Sequence, residues 1–325
     1  MSEVAVSTRI RLARNLKNYP FVNRLSAEDK NKVIRDVREA LSHSNIKLNF
    51  IDMKDLSEIG RISLSERHLI SPEFAEEGEG RALLISDDNS ISVMINEEDH
   101  IRLQVIKEGL SLDEAYKTAS YLDDVLSEHL ELAFSERLGY LTQCPTNLGT
   151  ALRASVMLHL PALSYSGAIG RIGKNLSKLG LTLRGIYGES SKPSGAFYQL
   201  SNQVSLGLSE EAAIDNLKNI TRELISQEVK VRDRILSDIE IEDKIHRSEG
   251  ILKSAYIIDH NEAMSLLSNL RLGAASKKLS TLSLENIDRL ICEIQPASIL
   301  SKYGEELSPK ERDIKRAELL RERLN

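Results

Sequence analysis

A chain of 325 residues with 41% hydrophobic and 28% charged side chains has the make-up of an ordinary globular protein and exceeds what one hydrophobic core usually holds, so two domains are expected. The net charge of −6 argues against sequence-independent nucleic-acid binding as the main task. No apolar run is long enough for a membrane span and no signal-peptide pattern opens the chain, so a cytoplasmic location is the expectation. Two cysteines far apart, Cys144 and Cys292, and seven scattered histidines suit neither a disulfide framework nor a zinc site.

In chain order, STRIRLAR sets Arg9 and Arg11 at i, i+2, so both side chains leave one face of a strand together. SAEDKNKVIRDVREALS, with Ser26 and Asp29 in capping-box spacing ahead of a helical apolar period, is predicted as a helix. RALLISDDNSISVMINEEDHIRLQVI reads as a hairpin with a DDNS turn, and it carries Glu97, Glu98, Asp99 and Arg102 at its apolar centre. If NEEDH is strand, Glu98 faces away from Glu97 and Asp99, which are then structural. SLDEAYKTASYLDDVLSEHLELAFSE repeats the capping device, with Ser111 and Glu114 ahead of a long amphipathic segment. QCPTNLGTALRA then places Cys144 beside Pro-Thr-Asn-Leu-Gly, in neither a metal spacing nor a helical pattern, and adds Arg153.

GAIGRIGKN looks like a phosphate loop, but Ala168 stands where that motif needs Gly and Asn175 where it needs Ser or Thr, so a turn-rich helix start is the better reading. LTLRGIYG, with Arg184, and AFYQLSNQVSL read as strands joined by ESSKPSG, a loop that begins at Glu189 and whose Gly, Pro and Ser predict mobility. Beyond about residue 208 the pattern is almost wholly helical. It closes on SPKERDIKRAELLRERLN, with Ser308 as N-cap, Pro309 as first helical residue and Glu311 as capping-box partner. A boundary near residue 233 divides the chain into 1–233 and 234–325.

Taken singly, each of these charges is best explained as part of a solvated face. Together, STRIR, NEEDH, CPTNLGT and RG..GE, in this order and spacing, resemble the catalytic domain of the phosphagen (guanidino) kinases. NEEDHIR, HLISP, RASVMLHLP and RDIKRA are most similar to the bacterial branch that acts on arginine residues in proteins. The resemblance implies an α+β fold, a catalytic domain with a central antiparallel β-sheet flanked by helices and followed by an all-α C-terminal domain. It implies ATP with Mg²⁺ carried on the nucleotide, and phosphates clamped by Arg9, Arg11, Arg102, Arg153 and Arg184. Phosphoryl transfer through a loose, charged transition state asks for positioned cations, and the guanidinium fork suits phosphate.

By the same resemblance, Glu98 and Glu189 grip the acceptor guanidino group, aligning one nitrogen with the γ-phosphorus and taking its proton, while Cys144 lies beside the non-reacting nitrogen as an alkylation-sensitive thiol. His68 falls beside the adenine, with a core histidine as the competing reading. Met157 stands where many small-substrate members carry a second histidine, His100 either supports a residue that touches substrate or is structural, and Cys292 is a small buried hydrophobe. Arg312, Asp313, Arg316 and Ala317 of RDIKRA are carried over as phosphoarginine ligands, against the reading of a solvated helix face. Only Met1 to Val6 precede STRIR, so the domain that covers a free amino acid in small-substrate members is missing and protein arginine is the expected acceptor. A homodimer, an activator of the McsA type, a repressor of the CtsR type as a substrate and delivery to a ClpC–ClpP protease are further implications. A free-arginine kinase and a non-enzymatic phosphoarginine-binding adaptor are the alternatives.

Overall fold

The computed structural model describes residues 3–185, 194–279, 282–304 and 306–325. Its first element, β1 (Ala5–Arg14), alternates strictly from Arg9 onward: Ile10 and Leu12 are buried while Arg9, Arg11 and Ala13 are only partly covered. That alternation orients one apolar and one polar side of the sheet that β1 centres. The other strands are β2 (Leu48–Asp52), β3 (Ala82–Ser86), β4 (Ile91–Ile95), β5 (Ile101–Glu108), the short pair β6 (Phe134–Ser135) and β7 (Gly139–Tyr140), β8 (Leu152–His159), β9 (Leu181–Gly185) and β10 (Phe197–Asn202). Among the described residues eight strands form one sheet in the order β2-β3-β4-β5-β1-β8-β10-β9, and every neighbouring pair is antiparallel.

The apolar side, with Ile10, Leu12, Leu103, Val105, Val156 and Leu200, is covered by α1 (Ala27–Ser42), α4 (Leu112–His129) and α7 (Glu210–Ile235). Two short helices, α2 (Glu58–Glu66) and α3 (Pro72–Glu76), lie between β2 and β3, and α5 (Pro161–Tyr165) and α6 (Ile169–Ser177) between β8 and β9. The phosphate-loop lookalike is the start of α6. A second apolar cluster joins α8 (Ile239–Ser254), α9 (His260–Ala275), α10 (Leu284–Glu293), α11 (Pro296–Tyr303) and α12 (Pro309–Leu324), and it takes in Phe197 of β10.

Local signals hold where short-range bonds dominate. Ser26 accepts the Asp29 amide at 3.1 Å, and Ser308 and Glu311 make the reciprocal capping box at the start of α12. They fail where tertiary pairing wins. Ser111 does not cap α4: its hydroxyl donates to the Glu108 carbonyl, and Thr8 Oγ1 takes the Ser111 amide instead. The helix also stops at His129, short of LELAFSE. There the chain pairs with the continuation of β1, Lys17 N–H donating to the Glu131 carbonyl at 2.8 Å and Ala133 N–H to the Asn15 carbonyl at 2.7 Å. The hairpin expected from RALLIS to LQVI is a three-strand meander, and NEEDH is its second turn rather than strand. Asn96 opens that turn at φ 62°, and its amide donates to the His100 carbonyl at 2.9 Å; asparagine tolerates the left-handed region better than most residues.

Arg14, fully buried at the end of β1, anchors this corner. It donates to both carboxylate oxygens of Asp123 on α4, at 2.8 and 2.6 Å, and lies 3.5 Å over the Tyr140 ring. Glu210 of α7 stands 3.7 Å away. Asp123→Ala is expected to lower stability by about 3 kcal/mol, the low end for stripping a buried charge of its partner because Glu210 compensates in part; equilibrium urea unfolding measures it.

Candidate active site

Opposite residues in a sheet register share a face, so the pairings collect the charged side chains directly. Arg11 pairs with Arg153 on β8 and with Gln104 on β5, Arg102 of β5 pairs with Ala13, Arg9 pairs with Ser155, and Arg184 of β9 pairs with Gln199. All five expected arginines therefore emerge on the side of the sheet opposite the main core. Along β1, Ser7, Arg9, Arg11 and Ala13 follow at steps of about 7 Å, forming a row across this face.

Each cation is held differently. Arg9 donates to Gln199 Oε1 at 2.8 Å, Arg153 to Asn147 Oδ1 at 3.3 Å, and Arg102 to Glu97 Oε1 at 2.5 Å. Arg184 is exposed at the outer end of the row. Arg11, in the middle, has a buried Nε without a hydrogen-bond partner among the described residues. Burial, and then the charge of Arg102, brings Arg9 down to about 10. Arg11 is held well below its usual value by burial and then by Arg9, Arg102 and Arg153, with only Glu97 opposing. Burial and the like charges of Arg102 and Arg184 depress Arg153 as well, against Cys144 and Glu98. Crowded cations, most of them partly desolvated, are the kind of surface that suits a polyanion.

The turn between β4 and β5 supplies the acids. Glu97 is buried and committed, accepting from Ser71 Oγ at 2.6 Å, from Arg102 and from the Glu98 amide at 2.7 Å. Burial works to raise its carboxyl, but Arg102 and these hydrogen bonds hold it below its ordinary value. Asp99 is equally committed, accepting from Asn15 Nδ2 at 2.6 Å and from the Gln143 amide at 2.8 Å. Glu98 alone of the three keeps a carboxylate with no hydrogen bond or ion pair among the described residues, half-buried beside Arg11, Arg102, Asn147 and Arg153. Burial first, then the charges of Asp99 and Glu97, raises its pKa. The turn and its hydrogen bonds, not strand alternation, set Glu98 apart from its two neighbours.

His100 completes this turn. Its Nδ1 accepts the Leu16 amide and its Nε2 faces the Pro20 carbonyl, both at 2.9 Å, so the proton sits on Nε2 and the ring is neutral and structural. Asn15, which the sequence reading passed over, bonds Asp99, the Leu141 carbonyl and the His100 amide. It thereby ties the acid turn to the segment leading into Cys144. The only sequence signal was its position immediately after the STRIRLAR strand. Cys144 is partly exposed, its sulfur 3.0 Å from Thr146 Oγ1. Gly149 closes this loop at φ 98°, where a Cβ would stand 2.4 Å from the Ser205 carbonyl oxygen.

At the other end of the row, Ser7 and Arg9 open into a cleft lined by Val6, Ile106, Met157, Phe197 and His68. His68 has φ 61° and an imidazole that burial, and then Arg9, brings down to about 4, so it is neutral at physiological pH. Cys292 is not the buried hydrophobe expected. It is exposed on α10 and lines this cleft, because α10 turns that side toward the sheet and away from its own core. Glu189 lies outside the described residues. Arg312, Asp313, Arg316 and Ala317 fall on α12, outside this cleft. Arg316 is only 2% exposed and donates to the Ile294 and Ile258 carbonyls and to Asp313; Ala317 is buried, and Arg312 has a buried Nε without a hydrogen-bond partner among the described residues. Among those residues no group of three His, Cys, Asp or Glu side chains suits a metal ion, and no helix is long and apolar enough to cross a membrane.

Residues 29–231 match the family described as ATP:guanido phosphotransferase, C-terminal catalytic domain, and residues 238–325 the one described as Protein-arginine kinase McsB C-terminal domain. The chain therefore belongs to the ATP:guanido phosphotransferases, enzymes that move a phosphoryl group between ATP and a guanidino nitrogen. Within that family it groups with the protein-arginine kinases. It is 49% identical to the protein-arginine kinase of Halothermothrix orenii over 99% of this chain and 93% of that one, and 44% identical to that of Caldanaerobacter subterraneus subsp. tengcongensis over 99% and 97%. Among solved structures, the duplicated taurocyamine kinase of Schistosoma mansoni with bound transition-state-analog components aligns at TM-score 0.65 and 26% identity, over 95% of this chain and 41% of that one. A lombricine kinase aligns at TM-score 0.62 and 23% identity over 73% and 68%, a likeness of fold.

Proposed function

We propose that the chain transfers the ATP γ-phosphoryl group to the guanidino group of arginine residues in proteins. The observation that carries this reading is the order along one sheet face: an apolar cleft, then the arginine row, then the acid turn with Glu98 beside the Cys144 loop. A nucleotide laid along it puts base, phosphates and acceptor in that sequence. Arg9, Arg11, Arg102, Arg153 and Arg184 hold the phosphates and take up charge as the γ-phosphoryl group leaves. Mg²⁺ comes in on the nucleotide, with water and phosphate oxygens as ligands.

Glu98 accepts hydrogen bonds from the guanidino group and aligns one nitrogen with phosphorus; Glu189 is its proposed second grip. As the N–P bond forms, the bond from phosphorus to the bridging oxygen breaks, its electron pair leaves with ADP, and the nitrogen's proton passes to Glu98. Cys144 sits beside the non-reacting nitrogens. Arg312 and Asp313, with the buried Arg316 and Ala317 shaping the helix beneath them, form the proposed phosphoarginine site. Family resemblance supports the homodimer, the activator, the CtsR-type substrate and delivery to a Clp protease as parts of the same proposal.

Casein incubated with ATP and the enzyme is expected to gain acid-labile phosphoarginine detectable by mass spectrometry, with free arginine a poor acceptor. Turnover that saturates with free arginine while casein stays unmodified would favour a free-arginine kinase; no phosphoarginine on either would favour an adaptor.

A further inference from the structure

The cleft at the Ser7 end of the row is not built by the sheet alone. Its sheet side carries Ile106, Ser155, Met157 and Phe197, and its other side is α10 and the residue before α11: Asp288, Ile291, Cys292 and Gln295. We propose that the C-terminal helical unit forms one wall of the nucleotide-base subsite, with Ile291 and Cys292 of α10 packing on the base across from Met157. This rests on the kinase reading above and goes beyond it, since the catalytic-domain family match ends at residue 231.

The chemistry suits a flat heteroaromatic ring. Apolar side chains flank the cleft from both units, and His68 reaches it as a neutral imidazole. Arg9 marks where the base ends and the phosphates begin. Asp288 does not put a free negative charge into the wall, because Arg271 donates to both its carboxylate oxygens, at 2.7 and 3.1 Å.

The wall is also held in place before any ligand arrives. Glu66, at the end of α2, accepts the Ala297 and Ser298 amides, each at 2.9 Å, so the catalytic unit caps the N-terminus of α11. Arg271 donates to the Glu3 carbonyl at 2.7 Å, joining α9 to the start of the catalytic unit. Gln295 fixes the end of α10 by donating to the Ile291 carbonyl at 2.7 Å. Nucleotide binding and docking of the C-terminal unit are therefore thermodynamically linked: whatever loosens α10 weakens ATP, and bound ATP tightens α10.

Calorimetry with two ligands isolates the wall. ATP and inorganic tripolyphosphate share the phosphate contacts, but only ATP uses the base subsite. Ile291→Trp fills the cleft from the helix side and is expected to weaken ATP at least tenfold while leaving tripolyphosphate within about twofold. Cys292→Trp, at an exposed position that tolerates bulk, is expected to do the same and covers the case in which Ile291→Trp does not fold. Unchanged ATP affinity in a folded variant, or a wild type that binds ATP no more tightly than tripolyphosphate, would overturn the proposal. A wild type that binds neither ligand would overturn the kinase reading itself, and the proposal with it.

Discussion

Glu98→Gln is expected to lower kcat by about 10²–10⁴-fold, the usual range for removing a positioned proton acceptor, with little change in the KM for ATP. The reason is the contrast within one turn. Glu97 and Asp99 spend their carboxylates on Ser71, Arg102, Asn15 and the Gln143 amide, and only Glu98 presents one uncommitted among the described residues. Gln keeps the shape but removes both the charge that holds a guanidinium and the site that takes its proton. A pH profile gives the same residue a second signature. Burial, then Asp99 and Glu97, lifts the Glu98 pKa above its ordinary 4.5. As pH falls through that raised value the carboxylate takes a proton and can no longer accept one from substrate, so the acid limb of kcat/KM should lie above where an unperturbed glutamate would put it. The Glu98→Gln variant should lose that limb. Steady-state kinetics across pH would show it.

Arg11→Met is expected to cost about 10²–10³-fold in kcat while making the ligand-free protein more stable. Arg11 sits mid-row between Arg9, Arg102 and Arg153, and its Nε is buried without a hydrogen-bond partner among the described residues. Donors aimed at developing phosphoryl charge are worth that much in rate. Without nucleotide the same group is a desolvated cation among cations, and a flexible apolar chain of similar length removes the repulsion. The gain should be about 0.5–2 kcal/mol, the usual yield of a single stabilising substitution, with lost function as its cost. The pairing of outcomes is the test: a rise in unfolding midpoint with loss of turnover fits a polyanion receptor, and a fall in midpoint would show that Arg11 is structural.

The shared face of Arg9 and Arg11 was legible, because the two-residue period of a strand puts them on one side wherever β1 lies. Arg102, Arg153 and Arg184 were singled out only by resemblance to the family, and it is the sheet register that brings them to the same side. The acid turn was legible in content but not in form. NEEDH was expected on a strand, whereas Asn96 adopts a left-handed conformation and the segment turns. Only the hydrogen bonds, none of them encoded in spacing, separate Glu98 from its neighbours. The early end of α4 has a tertiary cause as well, since Glu131 and Ala133 are captured by residues beyond β1. Cys292 and Ile291 were out of reach for a different reason. Helical periodicity marks which residues could face an apolar neighbour, but it does not say that the neighbour is a cleft floored by β1, β8 and β10, more than eighty residues earlier in the chain.

The most direct measurement is a crystal structure with ADP and an arginine-containing peptide. The base is expected between Met157 and Ile291, the phosphates along Arg9, Arg11 and Arg153, and the peptide guanidinium against Glu98 beside Cys144. A nucleotide lying away from the β1 row, or a guanidinium bound with no contact to Glu98, would contradict this arrangement.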